Sequence, residues 1–243
     1  MKLSKEEFML KLSKELENSG VELSHEKLEK LYLYKELLIE WNQKINLTAI
    51  TDDEEIIIKH IIDSIYVLPH INDNSKVVDV GTGAGLPGVI LAICKDNIHV
   101  TLLDALQKRI IFLNDVIEKL GLTNTVAIHA RAEEAGQNVE YREKYDVVVS
   151  RAVASLNVLI ELTSPFAKLN GTCIYMKADK TEQEITEAKK AIQELSLKHI
   201  DTIGYTLKLN EEEITHTLIK YKKQNTTKSK YPRQFAKIKK SPL

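Results

Sequence analysis

The chain has 243 residues, with 34 lysines and arginines against 35 aspartates and glutamates, so its formal net charge is −1. With 43% hydrophobic and 28% charged residues, the composition excludes a disordered tail protein, a collagen and a disulfide scaffold. The length fits one large domain or two small ones. A net charge near zero argues against a nucleic-acid partner, because proteins that bind nucleic acids are usually basic.

The first part of the chain, residues 1–72, is predicted to be a helical subdomain. Ser4 with Glu7 and Thr51 with Glu54 have the spacing of capping boxes, which begin helices. Apolar residues recur at helical intervals on one face: Leu28, Leu31, Leu38, Trp41 and Ile45. The N-terminus is charged and has no apolar run, so it is not a signal peptide, and we expect a cytoplasmic protein.

From residue 73 to residue 225 the pattern changes to alternating strands and helices. Strands are predicted at 77–80, 99–105, 125–130, 145–150 and 171–177, followed by two strand-like runs near 197–207 and 214–221. Helices are predicted at 86–94, 108–120, 155–168 and 181–195. Short apolar strands that alternate with helices predict an α/β domain, whose mostly parallel sheet is covered by helices on both faces.

The last segment, residues 226–243, is predicted to be a basic C-terminal tail. Residues 220–243 contain nine lysines and arginines and no aspartate or glutamate, so the other 219 residues carry a net charge of −10. The total near zero therefore conceals a segregation of charge. The tail either frays in solvent or forms an arm that binds a polyanion.

Several kinds of chemistry are disfavoured by the sequence. Cys94 and Cys173 lie in apolar runs and form no C-x-x-C pair, so both are predicted to be buried, reduced thiols. The seven histidines show no metal-ligand spacing, and we predict no metal site. The most apolar window, 77–94, contains four glycines, a proline and Asp79, which makes a poor membrane span.

A glycine-rich loop joins the first predicted strand to the helix that follows it. It reads Val77-Val-Asp-Val-Gly81-Thr-Gly83-Ala-Gly85-Leu86-Pro-Gly88. Glycines allow a backbone to turn sharply and to approach a ligand closely. From Gly83 the string fits the dinucleotide pattern G-x-G-x-x-G, whereas from Gly81 it reads G-x-G-x-G. The loop therefore predicts a cofactor site and leaves a dinucleotide and S-adenosylmethionine open.

Polar side chains after three later strands complete the predicted site. Asp104 ends the second strand, where its carboxylate can accept hydrogen bonds from ribose hydroxyls or cap the next helix. Ala132 and Glu133 follow the third strand, at the place of an adenine contact, although Glu133 could instead begin a surface helix. Arg151 follows the fourth strand, and we expect it to point into the site unless it pairs with Asp79 or Glu133.

These motifs together resemble the RsmG (also called GidB) class of bacterial 16S rRNA guanine-N7 methyltransferases along nearly the whole chain. The matching motifs are Leu38-Ile-Glu-Trp41-Asn42-Gln-Lys-Ile-Asn46-Leu47-Thr48, Lys59-His60-Ile-Ile-Asp63-Ser64, DVGTGAGLPG, Leu103-Asp104-Ala-Leu-Gln-Lys108-Arg109, Arg131-Ala-Glu133-Glu134, Ser150-Arg151-Ala152-Val153-Ala154, and Lys230-Tyr231-Pro232-Arg233 with Lys240-Ser-Pro242-Leu243. Two stretches depart from the family pattern. Gln234-Phe-Ala-Lys-Ile-Lys lacks the usual glycine and proline, and Thr215 stands where some relatives have a basic residue.

The resemblance implies a class I methyltransferase with a Rossmann-like sheet and S-adenosylmethionine as its cofactor. The implied cofactor contacts are Gly81, Gly83, Gly85, Leu86, Asp104, Ala132, Glu133 and Arg151. The implied substrate is a guanine in the 530 loop of 16S rRNA, free or within the small ribosomal subunit, and we expect a monomer. Guanine N7 has a free lone pair, so Arg151 is predicted to position the reactants rather than to act as a general base. Phosphate contacts are predicted from Lys108, Arg109, Lys177 and Arg233.

Three alternatives stay open at this point. The chain could methylate another RNA base, although it lacks an Asn/Asp-Pro-Pro-aromatic string and a Pro-Cys pair. It could be an NAD-dependent oxidoreductase, although no Ser/Tyr-x-x-x-Lys or catalytic His pair is evident. It could also be a non-catalytic ribosome-binding module that retains a cofactor pocket.

Overall fold

The computed structural model describes residues 2–151, 154–178 and 181–243, and a seven-stranded sheet is its central element. The strands are β1 (Lys76–Val80), β2 (His99–Asp104), β3 (Thr125–His129), β4 (Tyr145–Arg151), β5 (Ala167–Lys177), β6 (Leu197–Leu209) and β7 (Glu212–Lys223). Their order is β3-β2-β1-β4-β5-β7-β6. Strands β1 to β5 run parallel, and β7 is antiparallel to both of its neighbours. The predicted α/β fold with a mostly parallel sheet is confirmed.

The N-terminal region is helical, as predicted. It contains α1 (Lys5–Asn18), α2 (His25–Asn42), α3 (Asp53–Glu55), a π-helix (Ile56–Ile62) and α4 (Asp63–Ile65). The capping box of Ser4 and Glu7 is present at the start of α1. At α3 the capping residue is Asp52 rather than Thr51, because the Asp52 carboxylate accepts hydrogen bonds from the Glu54 and Glu55 amides. The buried apolar side chains of these helices join the core of the sheet.

Helices cover both faces of the sheet because the strands are nearly continuously apolar and successive side chains point to opposite faces. These helices are α5 (Gly88–Cys94), α6 (Gln107–Leu120), α7 (Ala132–Ala135), α8 (Leu156–Thr163), α9 (Thr181–Glu187) and α10 (Lys189–Glu194). Val77 and Val147 pack with α5, α6 and the N-terminal helices on one face. Val78 and Val148 pack with α8 and α10 on the other face. The sheet is thereby sandwiched between two apolar layers.

The C-terminal segment after β7 folds back onto this framework. The Arg142 guanidinium donates hydrogen bonds to the carbonyl oxygens of Thr227, Lys228 and Tyr231. A last helix, α11 (Phe235–Lys240), packs on α8 through the fully buried side chain of Ile238. Residues 226–243 are therefore packed against the sheet domain, not frayed in solvent.

Two predicted helices have different limits in the structure. The helix predicted at 155–168 ends at Thr163, a 3₁₀ turn containing Pro165 follows, and β5 begins at Ala167. The helix predicted at 181–195 is divided into α9 and α10. Among the described residues, no helix combines the length and the apolar character needed to cross a membrane. Cys94 and Cys173 are both free thiols, and burial raises the pKa of Cys173 to about 11.

Candidate active site

A cavity of about 530 Å³ opens at the carboxyl-terminal ends of β1, β2 and β4. In an open α/β sheet, ligands bind at this edge, next to the point where the strand order reverses. In this sheet that point lies between β1 and β4. Its walls come from the glycine-rich loop, the segments after β2, β3 and β4, the N-terminal region, α8 and the start of α11. The predicted residues that line it are Gly81, Gly83, Leu86, Asp104, Arg109, Ala132, Glu133 and Arg151.

The backbone of the glycine-rich loop adopts left-handed conformations. Gly81, Gly83 and Gly85 have φ values of 74°, 61° and 88°, which side chains disfavour. A Cβ atom on Gly85 would lie 2.4 Å from Cγ2 of Val89 and 3.0 Å from Cδ2 of Leu113. Gly81 and Gly83 therefore face the cavity, whereas Gly85 lets the loop pack on the helices behind it. Gly85 is predicted to contact the cofactor, but it does not line the cavity, and its role is to shape the loop.

Most amide groups of this loop are already hydrogen-bonded within the protein. The amides that donate in this way belong to Gly81, Thr82, Gly83, Gly85, Leu86, Gly88 and Val89. At the start of α5, the carboxylate of Asp79 accepts the Gly88 amide at 2.8 Å and the Thr82 hydroxyl at 2.7 Å. Burial raises the pKa of Asp79 to about 6. A pyrophosphate binds through unbonded loop amides and a helix N-terminus that no carboxylate occupies. This loop therefore does not suit a dinucleotide.

Asp104 lies at the centre of a small polar network on the cavity wall. Its Oδ1 accepts the Leu106 amide at 2.9 Å, which forms a turn just before α6. Asp104 does not cap the helix, because Leu106 is the N-cap residue and no side chain of the described residues bonds the first turn of α6. Its Oδ2 accepts the Gly83 amide at 3.0 Å and Nη1 of Arg109 at 3.1 Å. The buried Nε of Arg109 has no hydrogen-bond partner among the described residues. Arg109 therefore stands beside the predicted ribose site, and not on an open surface as its predicted RNA contact requires.

Glu133 combines the two roles that the sequence leaves open. It lies in the first turn of α7 and lines the cavity together with Ala132. Its carboxylate is 3.8 Å from Nη1 of Arg131, an exposed residue on the same rim. Both backbone and side chain at 132–133 are therefore available to a ligand that enters between β2 and β3.

Arg151 reaches the cavity from the end of β4, and its ion-pair partner is Asp63 rather than Asp79 or Glu133. Nη1 of Arg151 donates to Oδ2 of Asp63 at 2.8 Å and to the Lys59 carbonyl at 3.2 Å. Asp63 is only 1% exposed, and its Oδ1 also accepts the Tyr205 hydroxyl at 2.6 Å and Nδ1 of His216 at 2.7 Å. We call Asp63, Arg151, Tyr205 and His216 the Asp63 cluster.

The Asp63 cluster joins the N-terminal region, the parallel sheet and the β6–β7 hairpin at one carboxylate. Burial opposes the ionisation of Asp63, but the hydrogen bond from His216 and the charge of Arg151 hold its pKa below the ordinary value. An ionised carboxylate in this position fixes the guanidinium at the cavity edge. The motif containing Asp63 belongs to the family resemblance, but its sequence gives no sign of this role. Ala152 and Val153, which follow Arg151 in its motif, lie outside the described residues.

The segment after α2 forms a further wall that the sequence leaves without a role. Oδ1 of Asn42 accepts the amides of Leu47 and Thr48 at 2.8 and 3.0 Å, and Nδ2 of Asn42 donates to the Thr48 carbonyl. This places Leu47 and Thr48 on the cavity, where the Thr48 hydroxyl is 2.9 Å from Nε2 of His60. Burial and the charge of Arg151 lower the pKa of His60 to about 4, so this imidazole is neutral at pH 7.

Comparison with known proteins identifies the family. The model of the GidB family, rRNA small subunit methyltransferase G, matches residues 27–215. The chain belongs to this family. It is 50% identical over 225 residues to ribosomal RNA small subunit methyltransferase G of Acetivibrio thermocellus, covering 92% of each protein. It is 45% identical over 234 residues to the protein of the same description from Clostridium botulinum, strain Eklund 17B, covering 96% of this chain and 97% of that protein.

A solved structure shares the fold of this family member. M. jannaschii TYW2 in complex with AdoMet superposes with a TM-score of 0.52 at 22% sequence identity, covering 67% of this chain and 74% of the other. At this identity, the likeness shows the fold alone. Together with the family match, it confirms the class I methyltransferase architecture inferred from the motifs.

Besides Arg109, which pairs with Asp104, two more of the cations predicted to contact RNA phosphates are paired inside this methyltransferase. Nζ of Lys177 lies 2.7 Å from the Glu184 carboxylate and donates to the Ala154 carbonyl, and its side chain is 8% exposed. Arg233 makes a bidentate pair with Glu161, whose side chain is fully buried. Lys108 is exposed at the start of α6. The arrangement favours a phosphate contact for Lys108 and disfavours one for the two paired cations.

Proposed function

We propose that this protein transfers a methyl group from S-adenosylmethionine to N7 of a guanine in the 530 loop of 16S ribosomal RNA. The main support is a cavity at the switch point of the sheet, beside a loop most of whose amides are bonded within the protein and next to a buried carboxylate. S-adenosylmethionine has no phosphate and therefore needs no free amides of the kind that a pyrophosphate requires. Family membership supports the ribosomal RNA substrate.

The residues present fit this cofactor. Gly81, Gly83 and Leu86 would hold its methionine end, Asp104 its ribose, and Ala132 with Glu133 its adenine edge. A carboxylate offers about four lone-pair positions, and three positions on Asp104 are occupied by Leu106, Gly83 and Arg109. A ribose would therefore share Asp104 with Arg109. When bound, the cofactor supplies an electrophilic methyl group.

Guanine N7 needs no general base because its lone pair is free and no proton leaves on methylation. The protein's contribution is then to hold the base in line with the methyl group and to exclude competing orientations. Arg151 is suited to this task, since Asp63 fixes its guanidinium and its remaining N–H groups can donate to O6 of the guanine. Donation to O6 would orient the ring and leave N7 free to react. Base access requires an unstacked loop nucleotide.

Labelled methyl transfer tests the proposal most directly. The acceptors are unmethylated naked rRNA, small subunits and assembled ribosomes, and the modified base is identified after digestion. We expect N7-methylguanine from a single site in the 530 loop. A methyl group on a pyrimidine or on an exocyclic amine would refute the N7 assignment.

Equilibrium binding separates the enzyme from its nearest rival. Titration calorimetry with S-adenosylmethionine and with NAD compares the two cofactor classes on the same protein. We expect binding of S-adenosylmethionine only, because Asp79 occupies the helix N-terminus at which a pyrophosphate would bind. Tighter binding of NAD would support an oxidoreductase instead.

A further inference from the structure

An aromatic ring stands at the mouth of the cavity, on the C-terminal segment. Phe235 is the first residue of α11, lines the cavity and remains 38% exposed. Its neighbours in the cavity wall include Glu133 of α7 and Leu162 of α8. A partly exposed ring of this size at a binding site gains free energy when another flat group covers it.

The backbone that carries Phe235 is anchored on both sides. Two residues before it, the bidentate pair of Arg233 with the buried Glu161 fixes the chain, with distances of 2.7 and 2.6 Å. Three residues after it, Ile238 is fully buried against Val158 and Leu162. The backbone at Phe235 is therefore fixed at the cavity mouth before any ligand arrives, which lowers the entropic cost of covering the ring.

The same short helix carries uncompensated positive charge. Lys237, Lys239 and Lys240 are exposed, and the described part of the chain provides no carboxylate partner for any of them. By contrast, Lys228 and Lys230 lie 3.2 and 3.6 Å from the Glu194 carboxylate. An aromatic platform beside free cations is the arrangement with which proteins bind single-stranded nucleic acid.

We propose that Phe235 stacks on a nucleobase of the substrate RNA, and that Lys237, Lys239 and Lys240 contact the phosphates that flank this base. The nature of the nucleic acid rests on the proposed function. The adenine of the cofactor is a second flat group that enters this cavity. The lysines favour RNA, because S-adenosylmethionine has no phosphate for them to bind.

Substitutions at Phe235 test the stacking contact. The variants are Phe235→Ala, Phe235→Trp and, as a matched control, Leu169→Ala, which truncates an exposed apolar side chain outside the cavity lining. Affinity for an oligoribonucleotide with the 530-loop sequence is measured by fluorescence titration, and cofactor affinity by calorimetry. We expect Phe235→Ala to weaken RNA binding about tenfold, the usual scale for one base stacked on an aromatic ring. Phe235→Trp and Leu169→Ala should stay within about twofold of wild type.

Salt dependence tests the lysines separately. In the triple variant with Lys237, Lys239 and Lys240 each replaced by Gln, three phosphate contacts are lost. The slope of log K against log salt concentration should then become shallower by about two, since each contact on a single strand contributes about 0.7. An unchanged slope would overturn the phosphate contacts.

Two outcomes would overturn the stacking contact itself. One is RNA affinity that Phe235→Ala leaves unchanged. The other is a loss confined to S-adenosylmethionine affinity, which would place the ring on the cofactor adenine. Failure of the proposed function is distinguishable, because it shows as absent methyl transfer by the wild type, whereas RNA binding by the variants is measured without turnover.

Discussion

The two sides of the cavity are built in different ways. On the loop side, the hydrogen bonds that shape the site join residues close in sequence: Thr82 to Asp79 over three positions, Gly88 to Asp79 over nine, and Gly83 to Asp104 over twenty-one. On the opposite side, Asp63 is bonded to Arg151, Tyr205 and His216, which lie 88, 142 and 153 positions away. One side is a local motif, and the other exists only once the chain has folded.

This difference runs parallel to the proposed roles, in which the loop side holds the cofactor and Arg151 on the opposite side orients the guanine. The loop side is shaped mainly by its own glycines and by the nearby carboxylates of Asp79 and Asp104, and it is the side proposed to hold the cofactor. On the opposite side, Leu47, Thr48 and His60 of the N-terminal region line the cavity, and the β6–β7 hairpin supports Arg151 through its bonds to Asp63. Variants on the two sides should therefore have distinct effects on stability and cofactor affinity.

The largest effect is expected at the ion pair that joins the distant segments. Arg151→Ala should lower the free energy of unfolding by about 3–5 kcal/mol, because it leaves the carboxylate of Asp63 buried without its cation. The loss of turnover in this variant then mixes instability with lost positioning. The double variant Asp63→Asn/Arg151→Ala should recover part of the stability and none of the turnover, as measured by urea unfolding and methyl transfer. Wild-type stability in Arg151→Ala would show that the pair does not join the two regions.

The next effect concerns the loop side and depends on pH. The pKa of Asp79 is raised to about 6 from an ordinary value of 3.8, so the folded state binds more protons than the unfolded state between about pH 4 and pH 6. Stability contributed by this group is therefore lost as the pH rises through that window. Asp79→Asn removes the titration, and its stability relative to wild type should rise by about 3 kcal/mol from pH 4 to pH 7 and then level off. If the unfolding free energies of wild type and Asp79→Asn, measured in urea, change with pH in the same way, the raised pKa of Asp79 would be contradicted.

A smaller effect separates loop shape from backbone conformation. Gly85 and Gly121 both have positive φ angles, but a Cβ on Gly121 would meet nothing within 4 Å, whereas one on Gly85 would strike Val89. Gly121→Ala should cost about 1 kcal/mol for the left-handed backbone. Gly85→Ala should cost about 2 kcal/mol more for overpacking and should also weaken binding of S-adenosylmethionine. Equal unfolding free energies for the two variants would show that Val89 moves away from the added methyl group with no loss of stability.

The contrast between bonds local in sequence and bonds between distant segments also explains which features could be predicted from the sequence. The strand–loop–helix unit and the acidic residue after β2 are local patterns, and the structure has them where the sequence predicts. The partners of Arg151, Lys177 and Arg233 are carboxylates on other elements, and no local pattern relates them. The sequence therefore predicts phosphate contacts for Lys177 and Arg233, and names the wrong candidate partners for Arg151, where the fold makes three ion pairs.

The C-terminal segment shows the same limitation in another form. Its composition predicts a basic tail, because charge is visible in the sequence and packing is not. In the structure, the buried side chains of Tyr231 and Ile238 pack on the sheet domain. The guanidinium of Arg142 and the Arg233–Glu161 pair also fix the segment. The part of the charge that stays free is confined to the side of α11 that carries Lys237, Lys239 and Lys240.

The smallest predicted effect tests whether the two sides communicate. The hydroxyl of Tyr34, in α2, donates to the carbonyl of Ala84 in the glycine-rich loop at 2.8 Å, although the residues are 50 positions apart. Tyr34→Phe should cost about 1 kcal/mol of stability, the usual worth of one buried hydrogen bond. Because the bond holds the loop from behind, the variant should also weaken S-adenosylmethionine binding a few-fold, as measured by calorimetry. Tyr32→Phe, on the same helix and only half-buried, is the matched control and should change neither quantity. If Tyr34→Phe lowers stability but leaves cofactor affinity intact, the helical region supports the fold without tuning the loop, and the two sides of the cavity act independently.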